Sequence, residues 1–206
     1  MLERADGERE LRTGRLRLRR WRPEDRAPFA ALNADPAVAR WLAGPLTRAE
    51  SDALVDRIEA GFEVHGFGLF AVEPLDGAED RCVGYVGLAA PTFEAAFTPC
   101  VEVGWRLAPA VWGRGYATEA ARAVLHEGFA HHALDEVVSF TAERNDRSRA
   151  VMARLGMHHD PTDDFDHPAL AVGHPLRRHV LYRIRAGEWP DDQPDDRPEP
   201  PAASPR

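Results

Sequence analysis

The sequence predicts a mixed α/β domain, because strand-type and helix-type hydrophobic repeats follow one another along the chain. Leu16 and Leu18 alternate with arginines in the two-residue repeat of a half-buried strand. The same repeat returns near the end of the chain at Val180, Tyr182 and Ile184. Between these runs, one set of residues recurs at the i, i+3, i+4, i+7 spacing of a single helical face. Its members are Ala117, Ala120, Ala121, Val124, Leu125 and Phe129.

Shorter runs with helical spacing predict the remaining helices. Leu54, Ile58 and Phe62 mark a helix before the central strands. A short later helix is predicted from Val151 to Leu155, and Gly156 is placed to end it because glycine readily adopts a left-handed conformation there. The predicted order is strand, helices, antiparallel strands, strand, helix, strand, helix and a final hairpin.

Length and composition fit one globular domain. The chain has 206 residues, of which 44% are hydrophobic and 8% aromatic. The domain is predicted at residues 11–189, after a flexible terminus at residues 1–10 and before a disordered tail at residues 190–206. The tail holds six prolines, five acidic residues and no aliphatic side chain larger than alanine, so it has little to offset the entropy of ordering.

Several classes of location and partner are disfavoured by the same composition. No run approaches 18 consecutive apolar residues and the first 14 residues are rich in charge, so we expect a cytoplasmic protein without a membrane partner. The formal net charge of −8 argues against a nucleic-acid partner and is compatible with a cationic amine substrate. Cys82 and Cys100 lack metal-type spacing and are predicted to be reduced, buried thiols.

The most informative stretch runs from Trp105 to Glu119, where a strand end, a glycine-rich turn and a helix start follow directly on one another. The first N–H groups of a helix have no partner within it, and the helix dipole adds positive character, so an anion can bind there. Gly113 and Gly115 allow the backbone to approach a diphosphate closely. The stretch therefore predicts an anion-binding turn.

Two familiar phosphate-binding motifs do not match this turn. A Walker loop requires a lysine, and all 26 basic residues of this chain are arginine. A dinucleotide fingerprint requires a third glycine, at the position that Thr118 occupies. Neither motif accounts for the ligand of this site.

The segment Trp112–Ala117 resembles the [QR]-x-x-G-x-[GA] signature of the GNAT acyltransferases, with Gly115 and Ala117 at the small positions and tryptophan in place of the usual first residue. Its continuation resembles the W-G-[KR]-G-Y-A-T-E-A sequence of the RimJ/RimL-like branch. Further segments resemble this branch in the same order, from about Leu11 to Trp189. They are the opening strand at 11–20, a helix near 23–35, central strands at 66–73 and 82–88, and the N-x-x-S and L-G-[FM] pair at 145–148 and 155–157.

The resemblance implies a GNAT-like fold, with a mostly antiparallel twisted sheet flanked by helices and strands that splay at the acyl-CoA site. It implies acetyl-CoA as cosubstrate, no metal, and an amine acceptor that is a small molecule or a protein N-terminus. A homodimer is compatible with it. The residues that it assigns to cofactor binding are Trp105, Leu107, Arg114, Gly115, Tyr116, Ala117, Thr118 and Asn145.

Glu102 is the candidate general base, because an ammonium must lose a proton before its nitrogen can attack a thioester. It lies on the strand that leads to the turn, flanked by valines expected to face the opposite side of the sheet. The alternative is a structural glutamate at a solvated strand edge.

Ser148 is the candidate proton donor to the departing thiolate, and its alternative role is to cap a helix. Asn145 is expected to contact the pantetheine arm, although asparagine also commonly caps helices. Many family members carry a tyrosine seven residues after this asparagine, where this chain has Met152, which cannot donate a proton. Either Ser148 or water then protonates the thiolate, or no acid is needed.

A long polar segment before the last strand, at residues 163–176, is a candidate wall of the acceptor pocket. Its histidines lack zinc-ligand spacing, so no metal site is predicted. The resulting hypothesis is an acetyl-CoA-dependent N-acetyltransferase. Its alternatives are a CoA-binding regulatory module without turnover and an acyltransferase that uses a longer acyl-CoA.

Overall fold

The computed structural model describes residues 10–75 and 82–190. Apart from Glu10 and Pro190, the predicted flexible terminus and disordered tail lie outside the described residues. The strands are β1 (Leu11–Arg12), β2 (Leu16–Arg19), β3 (Leu69–Pro74), β4 (Gly84–Ala89), β5 (Glu102–Leu107), β6 (Glu136–Ala142), β7 (His158–His159), β8 (Phe165–Asp166) and β9 (Arg178–Arg185). The helices are α1 (Arg26–Ala34), α2 (Pro36–Ala39), α3 (Arg48–His65), α4 (Tyr116–His131) and α5 (Asp146–Arg154).

All these strands belong to one open sheet, in the order β1-β2-β3-β4-β5-β6-β9-β7, with β8 paired to β9. The described pairings are antiparallel except for the parallel pairing of β5 with β6. Within the described chain these two strands pair only at Glu102 and Val138, where the Val138 N–H donates to the Val101 carbonyl at 2.9 Å. Toward their carboxyl ends β5 and β6 therefore part. The predicted mixed α/β fold with a largely antiparallel sheet is confirmed.

Helices cover both faces of this sheet. On one face α4 packs on β4 and β5, where Val103 and Ala120 are fully buried. Gly128 allows the close approach of α4, because a Cβ at that position would lie 3.0 Å from the Leu88 side chain. On the other face the ring of Phe29 in α1 contacts the ring of Tyr85, with 5.9 Å between centroids. The alanines of α4 thus pack closely on the sheet, as their spacing predicts.

Several predicted boundaries differ from those observed, because prolines and turns interrupt the elements. The predicted opening strand at 11–20 is a hairpin of β1 and β2. The predicted helix near 23–35 begins with a 3-10 turn at Pro23–Asp25 and continues as α1, after which Pro36 starts the separate helix α2. In β9 the two-residue repeat predicts that Leu181 points away from Val180 and Tyr182 toward solvent, but Leu181 is fully buried, so both faces of the sheet are shielded at this position.

The predicted end of α5 is confirmed. Gly156 follows the last residues of this helix with φ of 77°, and the Gly156 N–H donates to the Ala153 carbonyl at 3.0 Å. Left-handed backbone of this kind is adopted readily by glycine alone. Met152 is buried on the inner side of the helix.

Candidate active site

A cleft of about 1760 Å³ lies where β5 and β6 part. The first turns of α4 and α5 both open onto it, together with the segment that joins β5 to α4. Most of the residues that the sequence assigned to the site line this cleft. They are Glu102, Trp105, Leu107, Gly115, Tyr116, Ala117, Thr118, Asn145 and Ser148.

The predicted anion-binding turn has the expected backbone geometry. Gly113 and Gly115 have φ of 79° and 80°, and Gly115 is the N-cap residue of α4. The first hydrogen bond of the helix runs from the Glu119 N–H to the Gly115 carbonyl at 3.0 Å. The N–H groups of residues 116–118 precede that bond and lie at the cleft, where the positive end of the helix dipole adds to their attraction for an anion.

The hairpin of β1 and β2 holds this turn in place. The Arg15 guanidinium donates to the Arg114 carbonyl at 2.9 Å and forms an ion pair with Glu119 at 2.6 Å. The Arg15 N–H and the Thr13 hydroxyl also donate to Glu119. The Arg114 residue is exposed beside the cleft, and its carbonyl accepts the hydrogen bond from the Arg15 guanidinium. The phosphate contact predicted for the Arg114 side chain stays a prediction.

Leu107 and Trp105 mark the free side of β5 at the cleft. The indole N–H of Trp112 donates to the Leu107 carbonyl at 2.7 Å, and Arg147 lies 4.6 Å above the same indole ring. That carbonyl is therefore engaged within the chain. Trp105 packs partly on the core and its backbone borders the opening between the strands, so its predicted contact with the pantetheine arm stays a prediction.

Asn145 caps α5, which is the alternative role considered for it. Its side-chain oxygen accepts from the Ser148 N–H at 3.4 Å, and its amide group donates to Thr141 Oγ1 at 3.0 Å and to Ser148 Oγ at 3.1 Å. Because Ser148 Oγ accepts from Asn145, its own proton can be directed into the cleft. The two residues thus form one unit, in which Asn145 orients the Ser148 hydroxyl.

Glu102 lies on a central strand rather than at a solvated sheet edge. It lines the cleft at the single pairing position between β5 and β6, with Val103 buried on the opposite face. Burial raises the pKa of the Glu102 carboxyl to about 8, and no hydrogen bond or cation from the described residues opposes that rise. A carboxyl with this pKa can release and take up a proton near neutral pH.

Beyond Glu102, aromatic side chains border the cleft at Phe140, His167 and His179. On the other side lies Arg106, whose guanidinium donates to Asn33 Oδ1 at 2.7 Å and lies 5.4 Å from the Tyr85 ring centre. Sequence reasoning proposed that residues 163–176 shape the acceptor pocket, which includes His167. Sequence reasoning missed Phe140, His179 and Arg106. For Phe140 a signal was available, because it is an aromatic residue in β6, whose neighbouring side chains are small or branched.

The two cysteine thiols are poorly suited to nucleophilic chemistry. Cys82 is buried and Cys100 half-buried, and burial raises their pKa values to about 12 and 11, which disfavours the reactive thiolate. Within residues 10–75 and 82–190, no three His, Cys, Asp or Glu side chains are grouped as metal ligands. None of the helices in these ranges combines the length and the apolar character that a membrane span requires.

Comparisons with known proteins identify similar domains. Residues 15–158 match the model of the acetyltransferase (GNAT) domain. The chain is 33% identical over 188 residues to the FsC-acetyl coenzyme A-N(2)-transacetylase of Aspergillus fumigatus, covering 87% of this chain and 77% of that protein.

Solved structures agree in fold. An acetyltransferase from Agrobacterium tumefaciens has a TM-score of 0.68 at 26% identity, covering 90% of this chain and 99% of that one. The ribosomal-protein-S5-alanine acetyltransferase from Vibrio fischeri has a TM-score of 0.67 at 18% identity, covering 88% and 99% of the two chains. At that lower identity the likeness concerns the fold alone.

Proposed function

The chain belongs to the GNAT acetyltransferase family, and we propose that it transfers an acetyl group from acetyl-CoA directly to a primary amine within a ternary complex. One observation carries this proposal. Glu102, whose pKa is raised to about 8 by burial, lies in the same cleft as a helix N-terminus suited to a diphosphate. Proton acceptor and coenzyme site are thus brought together where β5 and β6 part.

Acetyl-CoA fits the cleft by the donors that the chain offers. The N–H groups of residues 116–118 are suited to the diphosphate, and the glycines at 113 and 115 leave no side chain between it and the backbone. The diverging edges of β5 and β6 offer backbone groups to the pantetheine amides, in the manner of an added strand. The thioester would then occupy the same cleft as Glu102.

Glu102 acts as the general base. Its ionised carboxylate takes a proton from the acceptor ammonium, directly or through one water, and the amine nitrogen then attacks the thioester carbonyl. The C–N bond forms, and the C–S bond breaks with its electron pair leaving on sulfur. The second proton of the nitrogen passes to the Ser148 oxygen, directly or through water, as the Ser148 hydroxyl gives its own proton to the thiolate, so the amide is neutral and the hydroxyl is restored. The raised pKa of Glu102 makes it a stronger base than an ordinary carboxylate at neutral pH.

Ser148 donates a proton to the departing thiolate, and its position follows from its hydrogen bond with Asn145. Met152 is buried at the position of the usual tyrosine and offers no proton. Because a thiol has a pKa near 8.5, its thiolate is a tolerable leaving group, so loss of the Ser148 hydroxyl should slow the reaction only modestly.

Two lines of support bear on the acceptor. The Trp112–Ala117 segment and its continuation favour the RimJ/RimL-like branch, whereas the fungal relative carries the name FsC-acetyl coenzyme A-N(2)-transacetylase. A small-molecule amine is the first candidate, and Phe140, His167 and His179 border the part of the cleft that would hold it. A protein N-terminus is the second candidate. The cytoplasmic location and the homodimer stay predictions from sequence.

Release of the CoA thiol from acetyl-CoA, measured with a panel of amines and N-terminal peptides, tests the proposal. We expect Glu102→Gln to lower kcat/KM by about 10²–10⁴, the usual contribution of a general base. The control is Glu143→Gln, an exposed glutamate, which should leave the rate unchanged. Ser148→Ala should lower kcat by about tenfold or less, since the thiolate can leave unassisted.

The same assay separates the alternatives. Calorimetric binding of acetyl-CoA without turnover on any acceptor would indicate a CoA-binding module. Faster turnover with succinyl-CoA or longer acyl-CoA would indicate a different acyl donor. Native rates in both Glu102→Gln and Ser148→Ala would refute the catalytic roles.

A further inference from the structure

The acceptor end of the cleft is bordered by aromatic side chains. Three of them line the cleft and are called the ring wall: Phe140, His167 and His179. Three more pack behind them and are called the backing rings: Phe93, Phe97 and Phe165. Four separate segments of the chain contribute to this cluster: the β4–β5 connection, β6, the segment from β8 onward, and β9.

The ring wall lies on the same face of the sheet as Glu102. Glu102 of β5 pairs with Val138 of β6, so their side chains point to the same face of the sheet. Phe140 follows Val138 by two residues in β6, so its side chain also points to this face. The distance from Val138 to Phe140 along the strand is roughly 7 Å. His179 pairs with Ala142, two residues beyond Phe140, and so continues this face onto β9. A small molecule with its amine at Glu102 would reach the rings.

The rings touch one another in geometries typical of aromatic pairs. The centroids of Phe93 and Phe140 are 5.6 Å apart, and those of His167 and His179 are 5.0 Å apart. All six side chains are nevertheless only half-buried. Part of the surface of the three ring-wall side chains therefore remains available to a ligand at the cleft.

The ring wall carries no charge at neutral pH. Burial lowers the pKa of His167 and lowers that of His179 to about 4. The nearest carboxylate in sequence, Asp166, is engaged by Arg177 at 3.1 Å and lies 3.8 Å from Arg178. An anionic substituent would lose hydration against this surface without meeting a cation in the ring wall, whereas a planar apolar group would pack on the rings.

We propose that the acceptor is an amine carried on an aromatic or similarly planar apolar body, which packs against Phe140, His167 and His179. This inference rests on the proposed acetyltransferase function and names the substrate class of that site. The amine nitrogen lies at Glu102, and the planar body lies along β6 and β9. Acceptor selectivity then comes from the wall, while coenzyme binding comes from the first turn of α4.

Matched acceptors test the inference in the full-length protein. We expect kcat/KM for 2-phenylethylamine to be at least tenfold higher than kcat/KM for ethylamine. It should also be about threefold higher than kcat/KM for 2-cyclohexylethylamine, whose ring is not planar. Phe140→Ala should reduce the phenyl-to-ethyl preference at least fivefold through KM for the amine, with KM for acetyl-CoA unchanged. His179→Phe should retain the preference, because it preserves a flat uncharged ring.

The matched control is Phe97→Ala, which removes a backing ring that does not line the cleft. A merely structural role for the cluster would make Phe97→Ala and Phe140→Ala equivalent in both thermal stability and selectivity, and that result would overturn the inference. If Phe140→Ala does not fold, Phe140→Leu is measured with the same acceptors and should still reduce the phenyl-to-cyclohexyl preference.

The two proposals fail in distinguishable ways. Efficient turnover of aliphatic amines without any phenyl preference would overturn the ring-wall inference and leave the acetyltransferase intact. Absence of turnover with every amine would overturn the acetyltransferase. In that case, binding of 2-phenylethylamine measured by saturation-transfer NMR still decides the ring-wall inference. Binding that is lost in Phe140→Ala but kept in Phe97→Ala supports the inference. Equal binding in the two variants refutes it.

Discussion

At the scale of single residues, burial destabilises the Glu102 carboxylate and at the same time makes it a stronger base. A carboxylate at a partly closed position loses hydration, and the described residues offer it neither a hydrogen bond nor a cation in return. Its pKa therefore rises to about 8. The same desolvation gives the carboxylate enough basicity to accept a proton from an amine.

The pH dependence of kcat/KM follows from this pKa. Only the ionised form of Glu102 can act as a base, so we expect the rate to rise with pH, with an apparent pKa near 8, and to fall about tenfold for each unit below it. The measurement is the pH–rate profile with an aliphatic amine, whose pKa of about 10 keeps it an ammonium throughout the titration of Glu102.

Glu102→Gln provides the control for that profile. The residual activity of this variant should lack the limb near pH 8, because the glutamine side chain does not titrate. A limb that persists unchanged in the variant would assign the titration to another group and contradict the role of Glu102.

At the scale of elements, the site depends on how α4 begins. Gly113 and Gly115 hold positive φ on either side of Arg114, and Glu119 in the first turn ties the helix to the β1–β2 hairpin. Glycine is required here for its backbone conformation, since an L side chain in that region is strained by roughly 1–2 kcal/mol. The resulting backbone presents the N–H groups of the first turn to the cleft.

Gly115→Ala should therefore weaken acetyl-CoA binding at least tenfold and lower the free energy of unfolding by about 1 kcal/mol. The added Cβ would also lie 3.4 Å from the Arg15 guanidinium that supports the turn. Calorimetry gives the dissociation constant and urea titration the stability.

The matched control for this variant is Gly156→Ala, because Gly156 has nearly the same φ of 77° with open space around it, at the far end of α5. It should show the loss of stability without the loss of binding. Equal affinities for acetyl-CoA in the two variants would show that the first turn of α4 does not bind the coenzyme.

At the scale of the whole molecule, the cleft exists because the sheet consists of two antiparallel parts joined by one parallel pairing. β1 to β5 form the first part, and β6 to β9 form the second. They meet at Glu102 and Val138 and part beyond this point. Firm anchoring of each part is needed if the opening is to keep its shape.

One such anchor is the buried ion-pair group of Arg19, Asp25 and Glu73, which ties β2 to β3 and to the 3-10 turn before α1. Arg19 donates to both Asp25 oxygens at 2.7 and 2.9 Å and to Glu73 at 2.7 Å. Asp25→Ala should lower the free energy of unfolding by about 3–5 kcal/mol, because it leaves a buried guanidinium undercompensated.

Urea titration measures the effect of Asp25→Ala, with Asp56→Ala as control. Asp56 forms an exposed pair with Arg26, so its loss should cost less than about 1 kcal/mol. The folded Asp25→Ala protein should still bind acetyl-CoA normally, since the group lies outside the cleft lining. A small effect equal to that of Asp56→Ala would show that the buried group does not stabilise the fold.

Local patterns were sufficient for much of the fold and for the geometry of the glycine turn at the proposed coenzyme site. Gly113, Gly115 and the helical run after them predict the turn and α4, because backbone conformation and helix capping depend on neighbouring residues. The alternation at Leu16 and Leu18 likewise predicts β2. Element ends were less predictable, as at Pro36, where a cap formed by Asp35 starts a new helix.

The acceptor end was decided by tertiary structure. Arg15 and Glu119 are 104 positions apart, and Arg106 and Asn33 are 73 positions apart, yet each pair is in contact. Phe140 faces the cleft because of the register between β5 and β6, and such registers depend on contacts throughout the core. The sequence by itself therefore determined the α/β class, the glycine turn and Glu102 as a candidate base. Only the packing of distant segments decided that Glu102 is desolvated and that uncharged rings lie beside it, because burial and long-range pairing are properties of the folded chain as a whole.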